Sequence, residues 1–591
     1  MVTGDKKKEQ ILRGIPASPG IAIGIAHKMT HDEPEVLPRK LAPSEVPQEL
    51  ARFDGALSNT RAAIERSRER ALDVAGVAVG KIFDAHLMIL EDEVFQDQVR
   101  GRIAREQFDA EYIIYDSFSH MIEVISKSAG EIFRERAADL RDVRTRLLRF
   151  LRGEGDVIPD HPTHEVILVA EDLSPTEALN LDKKLVHGIV TDVGGLTSHT
   201  AILARSLDIP TIVGCGDVSE RVQDGDSIIL NGNSGKVILH PSDESCIEYD
   251  EKRERFRSFQ RYLADIKNDP AMTLDGVQID LWGNIELPRE AESVLEHGGL
   301  GVGLFRSEFL FLTRETTPTE DEQFAMYDKA AEIMAPHPVV IRTFDLGGDK
   351  YHAGINIREE KNPFLGYRAI RVSLSRRDLF RSQLRAILRA SARGNVRVMF
   401  PFVTGFEELR EAKVVLEEAK NELNQRKIAF DPKMKVGIMV EIPSAAVMAD
   451  RLADECDFFS IGTNDLIQYT VATDRANEQV ASYYRSYHPA VLRLIEMTIK
   501  AGEKKNVHVG ICGELGGSPA ATPLLVGLGM REISMTAAMI PEIKKIIRSM
   551  TYEECKKIAK KAMKMNTSQE VLNYMSGELK KRFADLPIWF S

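Results

Sequence analysis

The C-terminal half of the chain repeats one pattern, a short apolar segment followed by a stretch of helical periodicity, and this repeat constrains the fold more than any other feature. Eight apolar segments follow one another: 277–282, 301–305, 339–343, 396–400, 436–440, 457–461, 507–511 and 531–535. Apolar runs with helices between them are typical of parallel strands that are covered on the outside. Eight such units predict a (β/α)8 TIM barrel over 269–591.

In a barrel of this kind the active site lies at the carboxyl ends of the strands. Chemically functional residues follow several predicted strands and their loops: Asn284, Arg306, Arg342, Arg368, Glu441, Asn464, Asp465, Arg475 and Cys512. Arginine binds phosphate and carboxylate groups through paired hydrogen bonds. The carboxylates of Glu441 and Asp465 suit a hard divalent cation, and the thiol of Cys512 could donate a proton. We predict a pocket for a small molecule that carries phosphate and carboxylate groups, bound together with Mg²⁺.

A second informative stretch, GGLTSHTAILAR, runs from Gly194 to Arg205. Two glycines and two hydroxyl side chains precede His199, and a helical run follows it. Unpaired backbone N–H groups at a helix N-terminus disfavour an imidazolium and attract anions such as phosphate. The pattern therefore fits a histidine that accepts a phosphoryl group. A structural role for His199, as a helix cap or core side chain, stays open on this stretch alone.

The N-terminal half combines strand and helix signals. Short apolar segments within 1–30 and 150–240 predict one small α/β domain that carries His199. Between them, apolar residues at helical spacing and the lack of strand signals predict an all-helical bundle over 31–149, inserted into that domain. A charged stretch over 241–268 predicts a helical linker to the barrel. The predicted fold is therefore a multidomain α/β protein.

Composition excludes several classes of protein. The chain of 591 residues has a formal net charge of −12, which argues against a general nucleic-acid-binding surface. Its 5 cysteines form no CxxC pair, so neither a disulfide framework nor a zinc site is indicated. Because no apolar run is long enough to insert into a membrane, we expect a cytoplasmic protein.

The motifs together are similar to those of a known family. They are GGLTSHTAILARSLDIPTIVG (194–214), GVGLFRSEFLF (301–311), RTFDLGGDK (342–350), VEIPSA (440–445), FFSIGTNDLIQYT (458–470) and GICGELGG (510–517). AHLMILEDE (85–93) and ERAADLRDVRTRLL (135–148) add matches in the helical part. The chain closely resembles the Enzyme I family of bacterial phosphotransferase systems, the phosphoenolpyruvate–protein phosphotransferases.

The resemblance implies a reaction and a set of roles. Phosphoenolpyruvate phosphorylates a histidine of the enzyme, pyruvate is released, and the phosphoryl group passes to the carrier protein HPr. By motif, the resemblance assigns His199 as the phosphohistidine, Arg306 and Arg342 to the substrate phosphate, Arg368, Asn464 and Arg475 to the substrate, Glu441 and Asp465 to Mg²⁺, and Cys512 as the proton donor. It also implies carrier docking on the helical domain near Asp92 and Glu93, a swivelling phosphohistidine domain, and a homodimer formed through the barrel.

One residue departs from the family pattern, and two alternatives stay open. Many sugar-type members have arginine where this chain has Leu196. The same chemistry could therefore serve a regulatory, nitrogen-type phosphorelay. A relative of pyruvate-phosphate dikinase or phosphoenolpyruvate synthase would also share the histidine motif and the barrel. Such enzymes need an ATP-binding module, and the sequence shows no glycine-rich nucleotide loop for one.

Overall fold

The computed structural model describes residues 8–29, 36–75, 77–126, 131–155, 164–195, 198–207, 209–312, 316–347, 360–475, 477 and 479–583. The chain divides into two compact units, Met1–Ser258 and Phe259–Ser591. Within the described residues, no helix combines the length and the apolar character that crossing a bilayer requires.

A mixed sheet forms the framework of the first unit. Its strands are β1 (Gln10–Arg13), β2 (Ile15–Ser18), β3 (Ile21–Lys28), β4 (Val166–Ala170), β5 (Val186–Thr191), β6 (Thr211–Val213), β7 (Ser227–Asn231) and β8 (Lys236–Leu239). Their order in the sheet is β1-β8-β7-β3-β4-β5-β6-β2. β3 pairs in parallel with β4, although about half of the unit's sequence lies between them. The N-terminal strands and the later strands therefore lie in one sheet.

Helices fill the sequence between β3 and β4, which confirms the predicted helical insertion. They are α1 (Val46–Ala75), α2 (Val77–Leu90), α3 (Glu93–Glu106), α4 (Ala110–Ser126) and α5 (Glu131–Arg152). Phe53, Phe83 and Phe118 lie fully buried in their common core. Shorter helices accompany the sheet, and a longer one leads out of the unit: α6 (Pro175–Leu179), α7 (His199–Ser206), α8 (Val218–Arg221) and α9 (Asp243–Asp265).

A closed barrel of parallel strands forms the second unit, as the eightfold repeat predicts. Its strands are β9 (Asp280–Ile285), β10 (Val302–Arg306), β11 (Val339–Arg342), β12 (Val396–Phe400), β13 (Val436–Val440), β14 (Phe458–Ile461), β15 (His508–Ile511) and β16 (Glu532–Met535). Each strand pairs with its neighbours in sequence, and β16 closes the barrel on β9. Trp282, Leu304, Val340, Met399, Met439 and Phe458 pack with Cys512 into one cluster contributed by the strands. The barrel is therefore a packed core, and its chemistry has to take place at an end.

The predicted start of the first barrel strand is wrong. Residues 277–279 are not part of β9; Met272 bridges Gln278 in an antiparallel sense, and the backbone N–H of Ile279 donates to the carbonyl of Ala271. The apolar run that suggested a strand at 277 therefore belongs partly to a turned segment before the barrel. As a consequence, Asn284 lies within β9 rather than after it.

Helices cover the outside of the barrel. They are α10 (Glu290–Glu296), α11 (Phe309–Leu312), α12 (Glu320–Met334), α13 (Ile370–Ser375), α14 (Arg377–Ser391), α15 (Phe406–Gln425), α16 (Pro443–Val447), α17 (Ala449–Leu452), α18 (Thr463–Val471), α19 (Pro489–Lys505), α20 (Thr522–Leu528), α21 (Ile540–Arg548), α22 (Tyr552–Ala562) and α23 (Ser568–Arg582). Gly527 of α20 allows a close approach to α22, since a Cβ at this position would lie 2.1 Å from the carbonyl oxygen of Cys555.

We predict that Gly527→Ala destabilises the barrel by about 1–3 kcal/mol, because a methyl group there overpacks the contact between α20 and α22. The midpoint of urea unfolding, followed by circular dichroism, measures the change. Gly577→Ala is the matched control. Nothing lies within 4 Å of a Cβ at Gly577 in α23, so the same substitution there should leave stability unchanged or raise it by up to about 1 kcal/mol. Equal midpoints for the two variants would contradict the close approach.

Candidate functional site

Two arginines stand at neighbouring strand ends of the barrel mouth. Arg306 is the last residue of β10, and its guanidinium donates to Glu286 at 2.9 Å. Arg342 is the last residue of β11; it is almost fully buried and donates to the carboxylate of Glu308. Both guanidinium groups are therefore directed by carboxylates, an arrangement that presents planar donor groups for recognising anions.

A third arginine reaches the same mouth from the loop that leads into α13. Arg368 donates to both oxygens of Asp345, at 3.0 and 3.1 Å, and to Asp465 at 3.2 Å. Asp345 also lies 3.5 Å from the guanidinium of Arg342. One buried carboxylate thus connects two buried arginines, which offsets much of the cost of removing these charges from water.

Glu441 and Asp465 are brought to the mouth by consecutive strands. Glu441 directly follows β13, and Asp465 lies in the first turn of α18, just after β14. Burial, reinforced by the negative charges of Asp465 and Asp345, raises the pKa of Glu441 to about 8. The backbone N–H of Phe402 donates to Glu441 at 2.6 Å, with Phe402 itself at a φ of 60°. A backbone strained in this way is typical of positions whose geometry serves a site.

The donors at Glu441 and Asp465 fit a divalent cation. Carboxylates that repel one another in a buried site are stabilised by a cation between them. Gly462 leaves room beside them, because a Cβ there would lie only 2.9 Å from Oε2 of Glu441. Among the described residues, no group of three or more His, Cys, Asp or Glu side chains is arranged to hold a metal. A cation here would therefore complete its coordination with oxygens from a bound ligand or water, as Mg²⁺ commonly does.

Asn464 and Arg475 are held at the mouth by side chains that the motifs did not single out. The amide of Asn464 donates to Glu514 at 2.9 Å, and its oxygen accepts from the backbone N–H of Glu514 at 3.1 Å. Tyr484 donates to the carbonyl of Asn464 at 3.1 Å and hydrogen-bonds with the exposed side chain of Arg475. These contacts fix the orientation of the Asn464 amide.

Cys512 follows β15 directly and is buried above the packed barrel interior. Burial raises the pKa of its thiol to about 11, while Arg342 and Arg306 act in the opposite direction. The thiol therefore carries its proton at neutral pH, and the arginines stabilise the thiolate once that proton is lost. Asn284 supports this position, since its amide donates to the carbonyl of Cys512 at 2.9 Å.

His199 opens α7 in the first unit, as the sequence predicts. Ser198 caps the helix by accepting from the backbone N–H of Ala201, and its hydroxyl donates to the carbonyl of Gly195. Thr200 donates to Asp172 and to the carbonyl of Leu173, which ties the start of the helix to the segment before α6. The capping residue is therefore Ser198, and the imidazole of His199 is not used to cap the helix.

The side chain of His199 faces buried polar groups of the helical region. Its Nδ1 lies 3.8 Å from Asp139 of α5, and that carboxylate lies 3.2 Å from Nε2 of His86 in α2. Burial lowers the pKa of His199; Asp139 acts in the opposite direction. The net effect favours the neutral imidazole, which is the nucleophilic form.

The predicted site residues fall into two groups. The barrel mouth brings together Arg306, Arg342, Arg368, Glu441, Asn464, Asp465 and Cys512, with Arg475 linked to them through Tyr484. His199, Asp92 and Glu93 belong to the first unit. Asp92 caps α3 by accepting from the backbone N–H groups of Val94 and Phe95, a local role that its motif did not reveal. Leu196 lies outside the described residues.

Motif reasoning missed the residues that hold the predicted ones in place. They are Glu308, Asp345, Phe402, Tyr469 and Glu514 at the barrel mouth, and His86, Asp139 and Asp142 around His199. Asp345 could have been found from its position three residues after Arg342 at a strand end. His86 and Asp139 lie on different helices, and no local spacing connects them.

Three family models match successive parts of the chain. Residues 13–136 match the family described as PEP-utilising enzyme, N-terminal; residues 162–235 match PEP-utilising enzyme, mobile domain; and residues 260–552 match PEP-utilising enzyme, PEP-binding domain. The last range contains every predicted residue of the barrel mouth, and the middle range contains His199.

Curated relatives match over nearly the full length. A phosphoenolpyruvate-protein phosphotransferase of Bacillus sp. (strain S) is 42% identical over 97% of this chain and 99% of its own length. That of Geobacillus stearothermophilus is 41% identical over 97% and 99%, and that of Bacillus subtilis (strain 168) is 42% identical over 97% and 100%. The resemblance seen in the motifs is thereby confirmed, and the chain belongs to the phosphoenolpyruvate-protein phosphotransferase family.

Proposed function

We propose that this protein transfers the phosphoryl group of phosphoenolpyruvate to its own His199 and then to a histidine of an HPr-type carrier, as the first step of a sugar phosphotransferase system. The observation that carries the proposal is the barrel mouth, where buried arginines, two carboxylates and a protonated thiol converge. Each group matches one part of phosphoenolpyruvate or one step of its conversion to pyruvate.

In the first transfer, Arg306 and Arg342 bind the phosphate, and Arg368, Asn464 and Arg475 orient the rest of the substrate. A lone pair on His199 attacks phosphorus, the bond from phosphorus to the enol oxygen breaks, and the enolate of pyruvate leaves. Such transfers depend mainly on positioning and charge neutralisation, which the arginines supply. Cys512 then gives its proton to the enolate carbon, and Arg342 and Arg306 stabilise the thiolate.

The proposal includes Mg²⁺ at Glu441 and Asp465. When bound there, it would neutralise negative oxygens of the substrate during the transfer. The mutual repulsion of Glu441, Asp465 and Asp345, together with the space beside Gly462, supports this assignment.

The proposal also includes a movement of His199. Its side chain is only 18% exposed beside Asp139. Packing against α2 and α5 restricts access to the imidazole, and attack on phosphorus needs that access. We therefore propose that 1–30 and 150–240 form a phosphohistidine domain that swivels. In the same proposal, 31–149 docks the carrier near Asp92 and Glu93. Residues 241–268 form the linker, and 269–591 bind the substrate.

Family membership supports the remaining parts of the proposal. They are a cytoplasmic location, an HPr-type protein as the carrier, and a homodimer formed through the barrel.

We predict that His199→Ala abolishes acid-labile labelling of the protein by [³²P]phosphoenolpyruvate, because no other side chain is proposed to accept the phosphoryl group. Labelled protein, separated from substrate by gel filtration, is counted before and after acid treatment. His187→Ala is the control, since His187 lies on β5 of the same unit with a partly exposed side chain. Retained acid-labile label in His199→Ala would disprove the assignment.

Cys512→Ala should leave the KM for phosphoenolpyruvate nearly unchanged and lower kcat by roughly 100-fold or more, since the enolate then takes its proton from solvent. Steady-state release of pyruvate, coupled to lactate dehydrogenase, measures both constants. Cys456→Ala removes a partly buried thiol of the barrel unit and should retain normal kcat. Similar kcat values for the two variants would exclude the thiol from the mechanism.

Removal of divalent cations with EDTA should abolish turnover, and added Mg²⁺ should restore it. In Glu441→Gln and Asp465→Asn, the Mg²⁺ concentration for half-maximal activity should rise by roughly tenfold or more, because each variant lacks one carboxylate ligand. Asp454→Asn is the control, as Asp454 pairs with Lys505 at 2.7 Å on the exposed surface. An unchanged Mg²⁺ requirement in both site variants would place the cation elsewhere.

A further inference from the structure

A buried polar cluster surrounds one ring nitrogen of His199. Nδ1 lies 3.8 Å from Oδ1 of Asp139, and Nε2 of His86 lies 3.2 Å from the same oxygen. Nδ1 of His86 lies 3.6 Å from Oδ2 of Asp142, and Thr176 donates to that oxygen at 2.7 Å. The cluster joins α2, α5, α6 and α7 of the first unit.

The ionisable groups that surround His199 in this cluster are buried. His86 is completely buried, and Asp139 and Asp142 are each less than one-tenth exposed. Burying a carboxylate is costly unless charges or hydrogen bonds compensate it. Asp142 is satisfied by Thr176, and His86 lies between the two carboxylates. Asp139 is the carboxylate directed at His199.

The geometry distinguishes the two ring nitrogens of His199. Nδ1 is the nitrogen that approaches Asp139, so Nε2 is the nitrogen that is left for the phosphoryl group. A carboxylate beside one imidazole nitrogen keeps a proton on that nitrogen and fixes the tautomer, as in other catalytic histidines that are paired with a carboxylate.

We propose that Asp139 is a positioning residue for the second transfer, an inference that rests on the proposed function. Asp139 holds a proton on Nδ1 of phosphorylated His199, and His86 holds Asp139 in place. In this step a nitrogen lone pair of the carrier histidine forms the new bond to phosphorus. The bond between phosphorus and Nε2 breaks, and its electron pair returns to Nε2. Because Nδ1 keeps its proton, His199 leaves as a neutral imidazole rather than as an imidazolate anion.

This arrangement restricts the effect of Asp139 to one of the two transfers. Beside α5, where the helical region is proposed to hold the carrier, the phosphohistidine is activated as a donor. When His199 has left Asp139 to meet the substrate, that activation is absent, and the nitrogen that attacks phosphoenolpyruvate is not affected by the carboxylate. Asp139 therefore acts on the second transfer and not on the first.

Asp139→Asn tests the proposal, since it keeps the shape of the side chain and removes its charge. The two half-reactions are measured separately in rapid-quench single turnovers of the full-length protein: labelling by [³²P]phosphoenolpyruvate with Mg²⁺, and transfer of the label from isolated phosphoprotein to purified HPr. The rate of transfer to HPr should fall by roughly tenfold to a hundredfold more than the rate of labelling.

Asp142→Asn is the matched control, because it removes the same charge from the same helix at a carboxylate that bonds Thr176. It should change the ratio of the two rates by less than about threefold, since Asp139 is the nearer carboxylate to His199. His86→Asn keeps Asp139 but removes its support. It should show the same asymmetry as Asp139→Asn at smaller magnitude, and it serves as the test if Asp139→Asn fails to fold.

The pH dependence separates positioning from a merely structural role. The titratable groups that act on His199 are Asp139 and Asp142 of α5 and His86 of α2. Without Asp139, the proton on Nδ1 of phosphorylated His199 is lost at lower pH. The transfer rate in Asp139→Asn should therefore decline at lower pH than in the unchanged protein, and ¹⁵N NMR of the labelled imidazole should show the matching shift.

Three results would overturn the proposal: equal slowing of both half-reactions in Asp139→Asn, the same asymmetry in Asp142→Asn, or an unchanged pH profile of transfer. Failure of the proposed function would look different. In that case the unchanged protein itself would take no acid-labile label from phosphoenolpyruvate or would pass none to HPr.

Discussion

Mutual neutralisation of buried charge at the barrel mouth is the interaction on which the account depends. Arg342 and Arg368 are almost fully buried there, and so are Asp345 and Glu441. Neither the two arginines nor the two carboxylates could be buried without the other pair, because an uncompensated charge in a protein interior costs several kcal/mol. Closure of a parallel barrel brings these strand ends together, so the fold and the charge network depend on each other. A substrate with phosphate and carboxylate groups enters a site whose donors are already oriented.

Charges are also buried around His199, where the basic group is a histidine. At the barrel mouth Arg342 and Arg368 contact the buried carboxylate of Asp345, whereas His86 is the basic group placed between Asp139 and Asp142. Excess negative charge beside an imidazole favours a proton on it, and burial opposes that proton. In the proposed mechanism the two environments suit the two transfers: the arginines neutralise an incoming anion, and Asp139 prepares His199 to leave.

Sequence patterns predicted the parts of this structure that follow from local periodicity. Strands such as Val396–Phe400 and Val436–Val440 lie where the apolar runs place them, since a strand buried on both faces leaves an unambiguous signal. The first barrel strand was misplaced because an apolar run continues through a turn, and turn pairing is set by distant contacts. The partners of the site residues were missed for a related reason. Glu514 holds Asn464 across 50 positions of sequence, and His86 meets Asp139 across 53.

The stoichiometry of a single phosphorylation event would show whether phosphoenolpyruvate passes its phosphoryl group to His199. The unchanged protein is mixed with [³²P]phosphoenolpyruvate and Mg²⁺ in the absence of carrier, pyruvate is counted, and the protein is digested with trypsin at neutral or alkaline pH. We expect one equivalent of pyruvate for each acid-labile phosphoryl group, with all of the label on the peptide 185–205 and located by fragmentation at His199. Pyruvate release without label on that peptide, or label at another residue, would contradict it.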